Sequence, residues 1–188
     1  MDKKADFIAA AILDTQATIR AVDVKVAAFL VAILAPLGSV NRMFSHLGHF
    51  GSQTPRWLFL CIVVAFLVTW VLALIAFVRA IGAIDNPARH IINSSSICGS
   101  FYAGGLYKLG ISDVFLNREI IKASTDPLTF ATQVPDTSAG IEVELVFEQM
   151  KLAYIRDVKF NRLNWGMRFA LAWLVLGIGI FFYSKYCI

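Results

Sequence analysis

The stretch Trp57–Val78, WLFLCIVVAFLVTWVLALIAFV, runs without a single charged side chain. About twenty consecutive apolar residues allow a helix to cross the hydrocarbon core of a bilayer. The whole chain has the same character, since 58% of its 188 residues are hydrophobic and 16% are charged, against about 25% charged in soluble domains. The sequence therefore predicts an integral membrane protein and argues against an ordinary soluble enzyme.

Two further segments are typical of membrane helices. The last span, residues 165–184, carries aromatic residues at both ends, which suits the interfacial belts of a bilayer. The first span, residues 22–41, is uncharged only from Val26 onward, so a full crossing must also include Asp23 and Lys25. We therefore predict three transmembrane helices, with an acid and a base at the boundary of the first.

The positions of the basic residues predict the orientation of these spans. With a cytoplasmic N-terminus, fourteen of the seventeen Lys and Arg residues lie inside, as the positive-inside rule requires. We therefore expect a bacterial inner-membrane protein with its N-terminus in the cytoplasm and its C-terminus in the periplasm. The predicted segments are a cytoplasmic amphipathic helix (residues 1–21), the first span (22–41), an external loop (42–56), the second span (57–79), a cytoplasmic sensing segment with a coupling helix (80–164) and the third span (165–184).

Two of the spans are predicted to continue into the cytoplasm as helices. Apolar residues recur at helical spacing from Ile8 to Val26, and no proline interrupts the chain before Pro36, so one helix should begin near Asp6. Ile141–Leu163 also lacks glycine and proline. It has an apolar stripe formed by Val143, Val146, Phe147, Met150, Tyr154 and Val158.

The charged residues of this second cytoplasmic helix, Glu144 and Glu148 among them, are expected mostly on the face opposite the stripe. Acidic residues come first and basic residues last, as the helix dipole favours. A helix that continues from here into the third span could couple a cytoplasmic event to the bilayer.

The segment between the second and third spans combines sequence features of loops, strands and helices. Residues 91–110 combine β-branched and aromatic residues with glycines, which predicts a loop with one or two short strands. A short helix is predicted over residues 113–123, and turns at Asp126-Pro127 and at Pro135–Gly140. The predicted fold class is therefore mainly α and integral to the membrane, with a small mixed α/β cytoplasmic segment.

Motifs for catalysis and for cofactor or metal binding are absent from the sequence, so we predict no enzymatic activity, no cofactor and no metal site. Basic and aromatic side chains in the cytoplasmic segment could still bind a phosphate and stack on a base. The alternative, that they are solvated charges and packing aromatics, stays open. These candidate nucleotide-binding residues are Arg89, Phe101, Tyr102, Tyr107, Lys108 and Arg118.

The entry into the first span provides a membrane-boundary signature formed by Arg20, Asp23 and Lys25. Ionisable residues at membrane depth are by default functional candidates. The alternative is that Asp23 and Lys25 stay among the lipid headgroups and only end the span.

This entry, AVDVKVAAFLVAIL, resembles that of the transmembrane effectors of Pycsar anti-phage systems, with Asp23 and Lys25 at the matching positions and Arg20 before them. The order of the following parts is also similar. They are a Pro-Arg element after the second span, a serine-rich stretch, an aromatic-Gly element and a lysine before the last span: Pro87-Ala88-Arg89, Ser94–Ser96, Phe101–Gly104 and Lys159.

The resemblance implies a role in antiviral defence. An effector of this family senses a cyclic pyrimidine mononucleotide, cyclic CMP or cyclic UMP, and impairs the inner membrane, so that the infected cell stops growing or dies (abortive infection). The implied partners are the membrane, the cyclic nucleotide and further copies of the chain, because three spans cannot enclose a pore; a nucleic-acid polymer is not expected. Two alternatives stay open: an effector of a related system that senses a cyclic oligonucleotide, and a small non-enzymatic membrane assembly factor.

Overall fold

A computed structural model describes residues 3–39, 45, 47–48, 50–51, 54–84, 86–92, 100 and 123–186. Of these residues 89% are helical and none forms a strand. The α-helices are α1 (Lys3–Leu34), α2 (Arg56–Ile81), α3 (Pro127–Gln133) and α4 (Ser138–Tyr186). Two 3₁₀ helices, Ala35–Ser39 and Pro87–His90, follow α1 and α2.

Three helices are long and apolar enough to cross a membrane, as predicted: α1 with its 3₁₀ extension, α2 and α4. Large apolar side chains on them, such as Trp57, Leu60 and Leu171, are exposed. In water such surfaces would be unfavourable, whereas in a bilayer they face lipid. The identity of the membrane and the side on which each terminus lies stay predictions.

The predicted helical extensions of the first and last spans are confirmed as uninterrupted helices. α1 runs continuously from Lys3 and ends at Leu34, two residues before Pro36. Proline lacks the N–H for an intrahelical hydrogen bond and disfavours the α conformation in the residue before it, which explains the end of α1. α4 is continuous over 49 residues and begins at Ser138, three residues before the predicted start at Ile141.

The mixed α/β segment is not seen in the described residues. Most of the predicted strand region 91–110 and nearly all of the predicted helix 113–123 lie outside them. The predicted turn at Asp126-Pro127 was wrong, because these two residues begin α3. Asp126 accepts a hydrogen bond from the Thr129 amide at 2.5 Å, and proline suits the first helical position.

The chain divides into two compact units. The first, here called the polar unit, comprises Met1–Ala17 and Asn86–Ile155; the second, the spanning unit, comprises Thr18–Asp85 and Arg156–Ile188. The core of the spanning unit draws on all three long helices. Its fully buried members are Val22, Val26, Ile33, Ala73, Phe77, Ala80 and Leu163.

Candidate functional site

The candidate site of the spanning unit is an ion pair between α1 and α4. The Lys159 ammonium donates a hydrogen bond to the Asp23 carboxylate, and the two residues are 136 positions apart in the chain. The Lys159 side chain is 9% exposed and the Asp23 side chain 39%. The pair therefore joins a nearly buried cation to a carboxylate that still reaches solvent.

Buried apolar residues of α1 and α4 lie next to this ion pair. Val22 and Val26 flank Asp23 on α1, Leu163 follows Lys159 by one turn on α4, and all three are buried. A buried ammonium without its carboxylate would be strongly unfavourable, because neither water nor another charge compensates it. The ion pair thus favours one particular register between α1 and α4.

A hydrogen bond and close packing connect the second span to α4 near the ion pair. The Arg162 Nη1 donates a hydrogen bond to the main-chain oxygen of Arg79, near the end of α2, at 2.5 Å. Four residues further along α4, a Cβ atom on Gly166 would lie only 2.5 Å from Cε1 of Phe77. The Phe77 ring also stacks on Phe29 of α1, with centroids 5.5 Å apart. Because Gly166 has no side chain, the Phe77 ring of α2 can pack against α4 while it stacks on α1. All three long helices therefore approach closely here.

The predicted membrane-boundary residues have different environments in the structure. Arg20 and Lys25 are exposed, whereas Asp23 is half-buried and bonded to Lys159 instead of its neighbour Lys25. The sequence pattern indicated Asp23 and Lys159 separately and did not reveal that they pair. A usable signal was present: each residue lies a few positions before an apolar span, and their charges are opposite.

Of the candidate nucleotide-binding residues, the structure describes Arg89 alone. Arg89 lies exposed on the 3₁₀ helix Pro87–His90 of the polar unit. Phe101, Tyr102, Tyr107, Lys108 and Arg118 lie outside the described residues. Next to Arg89, the His90 ring stacks on Tyr154 of α4 with centroids 4.4 Å apart, a contact that the sequence pattern did not reveal.

The polar unit buries two carboxylates that are predicted to lie on the face opposite the apolar stripe. Glu144 is 7% exposed and Glu148 2%, whereas Val143 and Met150 of the predicted apolar stripe are about half exposed. Burial raises the pKa of Glu148, the Lys151 ammonium bonded to it lowers that pKa, and the nearby Glu144 raises it further. Phe147 of the stripe is also buried, so hydrophobic periodicity indicated one buried side of α4 and did not indicate that the side with the glutamates is buried too.

Polar contacts explain how the Glu-rich face of α4 can be buried. Within the polar unit, Gln149 Nε2 donates to Thr15 Oγ1 of α1 at 3.4 Å, and this hydroxyl donates to the Ala11 carbonyl at 2.8 Å. At the start of both helices, Lys4 forms an ion pair with Glu142. Polar groups in buried positions are normally hydrogen-bonded, and these contacts join α1 and α4 beside the two glutamates.

The described residues contain no group of three or more His, Cys, Asp or Glu side chains that could bind a metal ion. Their chemistry is that of ion pairs and packing contacts between helices, which can hold or release a helix arrangement. Comparison of the chain with protein-family models, with curated proteins and with solved structures finds no match.

Proposed function

We propose that this chain is the membrane effector of a bacterial anti-phage signalling system. In this proposal the effector is a non-enzymatic inner-membrane protein with a cytoplasmic N-terminus and a periplasmic C-terminus. Its cytoplasmic polar unit senses a cyclic pyrimidine mononucleotide, cyclic CMP or cyclic UMP. Binding changes the arrangement of α1 and α4, several copies act together, and the inner membrane loses its integrity.

The observation that carries the proposal is the Asp23–Lys159 ion pair. Both residues belong to the elements on which the resemblance rests, and the pair joins them although they are 136 residues apart. A pair between the first and last long helices is the kind of contact that a membrane switch needs. It stabilises one helix arrangement and must be broken or shifted to reach another.

The energetics of this pair favour a switch with a threshold. Removing one partner of a buried ion pair costs about 3–5 kcal/mol. A ligand can shift such an equilibrium only by its difference in affinity for the two arrangements, and each factor of ten corresponds to about 1.4 kcal/mol. A resting state held in this way would stay inactive until the second messenger accumulates.

The spans themselves support action by several copies. Only 11–17% of the residues in the apolar windows of α1, α2 and α4 are buried within one chain. Most of the apolar surface is thus left for lipid or for other copies. Three helices also provide too little perimeter to surround a water-filled pore, so membrane damage requires either several copies or a rearrangement of the helix bundle.

Expression in bacteria with an active pyrimidine nucleotide cyclase tests the proposal. A dye that reports membrane potential should show depolarisation in cells with the effector and the active cyclase. Cells with a catalytically inactive cyclase, or with the cyclase alone, should keep their potential. The exchange D23K/K159D restores opposite charges and should retain the response, whereas D23K alone brings two ammonium groups together and should abolish regulation by the cyclase.

Titration of the purified full-length protein identifies the ligand. Calorimetry with cyclic CMP, cyclic UMP and a cyclic dinucleotide should show binding of a pyrimidine mononucleotide only. Binding of the dinucleotide alone would assign the chain to a related signalling system. Absence of binding to all three, together with no cyclase-dependent depolarisation, would overturn the proposal in favour of a membrane assembly factor.

A further inference from the structure

An apolar groove lies between α1 and α4 within the spanning unit. It has a volume of about 430 Å³ and is lined on the α1 side by Phe29, Ala32 and Ile33. On the α4 side its lining includes Met167, Ala170 and Leu171. All six side chains are apolar, and they belong to helices that are long and apolar enough to span a membrane. The groove therefore fits a hydrocarbon chain.

Polar residues continue the groove at the same end of both helices. Lys25 precedes Phe29 by four residues on α1, and Asn164 precedes Met167 by three on α4, so each lies on the helix face of the groove. Both are exposed. An ammonium and an amide in these positions suit a phosphate, since both can donate hydrogen bonds to its oxygens.

The charge at this end is not compensated within the described part of the chain. Asp23 is the acidic residue nearest to Lys25 in sequence, and its carboxylate bonds to Lys159. No carboxylate among the described residues forms an ion pair with Lys25. A ligand with a net negative charge at this position is therefore favoured over a zwitterionic one.

From this juxtaposition we infer that the spanning unit binds one anionic phospholipid. An acyl chain occupies the groove between α1 and α4, and the phosphate lies at Lys25 and Asn164. Because the lipid would contact both helices, it adds to the forces that set their spacing. This inference concerns the resting protein and does not depend on the identity of the second messenger.

Native mass spectrometry of the full-length protein in detergent tests the inference. The probes are phosphatidylglycerol and phosphatidylcholine with identical acyl chains, added in equal amounts. The wild type should retain one lipid and prefer phosphatidylglycerol. K25Q should reduce this preference about fivefold, the usual effect of one basic residue near an anionic surface. K185Q is the matched control, because Lys185 is also exposed but lies at the other end of α4, with its ammonium nitrogen 5.4 Å from the centroid of the Tyr186 ring.

A second pair of variants tests the acyl-chain groove itself. A32F fills the groove and should reduce retention of both lipids, whereas A27F on the opposite side of α1 should not; both alanines are exposed. Circular dichroism checks that each variant is folded. Equal retention of the two lipids by the wild type, an effect of K185Q as large as that of K25Q, or unchanged retention in folded A32F would each overturn the inference.

Discussion

The polar unit and the spanning unit both bury a charge of α4, but they compensate it in different ways. Glu148 of the polar unit bonds to Lys151, three residues further along its own helix. Lys159 of the spanning unit bonds to Asp23, which belongs to another helix. The first pair stabilises α4 alone, whereas the second also determines where α1 lies against it. The comparison shows that a buried charge determines how two helices pack only when its partner belongs to the other helix.

The largest effect is expected from removing the distant partner. D23A leaves the Lys159 ammonium buried without a counter-charge, and the free energy of unfolding in mixed micelles should fall by about 3 kcal/mol. The lower end of the usual range applies because the Asp23 side chain is 39% exposed. D157A is the control: the Asp157 side chain is 68% exposed and pairs with the adjacent Arg156. A control loss as large as that of D23A would contradict this interpretation.

Close packing in the spanning unit should produce the next largest effect. In G166A the new methyl group would lie 2.5 Å from the ring of the fully buried Phe77, so the helices must separate or the ring must move. We expect a loss of about 2 kcal/mol in the free energy of unfolding. G179A is the matched control on the same helix, since no atom lies within 4 Å of the added Cβ. It should be neutral or stabilising by up to about 1 kcal/mol.

The local pair of the polar unit should appear in a pH profile. The pKa of Glu148 is raised by burial, so the folded state holds its proton more tightly than the unfolded state, in which the ordinary value is 4.5. The contribution of Glu148 to stability is therefore fully present below pH 4.5 and is lost as the pH rises through the folded-state pKa. Unfolding of E148Q, followed by circular dichroism from pH 4 upward, should lack this loss. K151M removes the ammonium that lowers the pKa and should deepen the loss; an unchanged profile in both variants would contradict the assignment.

The smallest effect is expected at α3, where a cap serves one short helix. Hydrogen bonds from Thr129 lower the pKa of Asp126, so the cap is formed above pH 3.8 and lost as the pH falls through the lowered value. In D126A the Thr129 amide should exchange with deuterium about fivefold faster, as for the loss of a typical cap. D126N retains an accepting oxygen and should exchange nearly as the wild type. Equal acceleration in both variants would show that the cap does not hold α3.

The long helices could be predicted because their signals repeat over many residues. The charge-free stretch Trp57–Val78 was recognised as a span, and the absence of proline before Pro36 indicated the continuity of α1. The start of α3 was missed, although Asp126-Pro127 followed by Thr129 is also a recognisable helix start. Local capping and turn chemistry use the same residue types, so two residues cannot distinguish them.

The candidate site could be predicted only as separate parts. Asp23 was identified from the cost of a charge near the membrane, but its partner depends on how α1 packs against α4. Glu144 and Glu148 are predicted to lie opposite the apolar stripe, but hydrophobic periodicity does not indicate whether that side of α4 is buried. Its burial depends on how α1 packs against α4, which no pattern within one helix contains.

The separation of Asp23 from Lys159 also has a consequence for biosynthesis. Lys159 is synthesised 136 residues after Asp23, which takes roughly 7 to 27 s at a translation rate of about 5–20 residues per second. Throughout this interval α1 must wait at the membrane with its carboxylate hydrated. The register that the ion pair fixes between α1 and α4 can therefore form only after Lys159 has been synthesised.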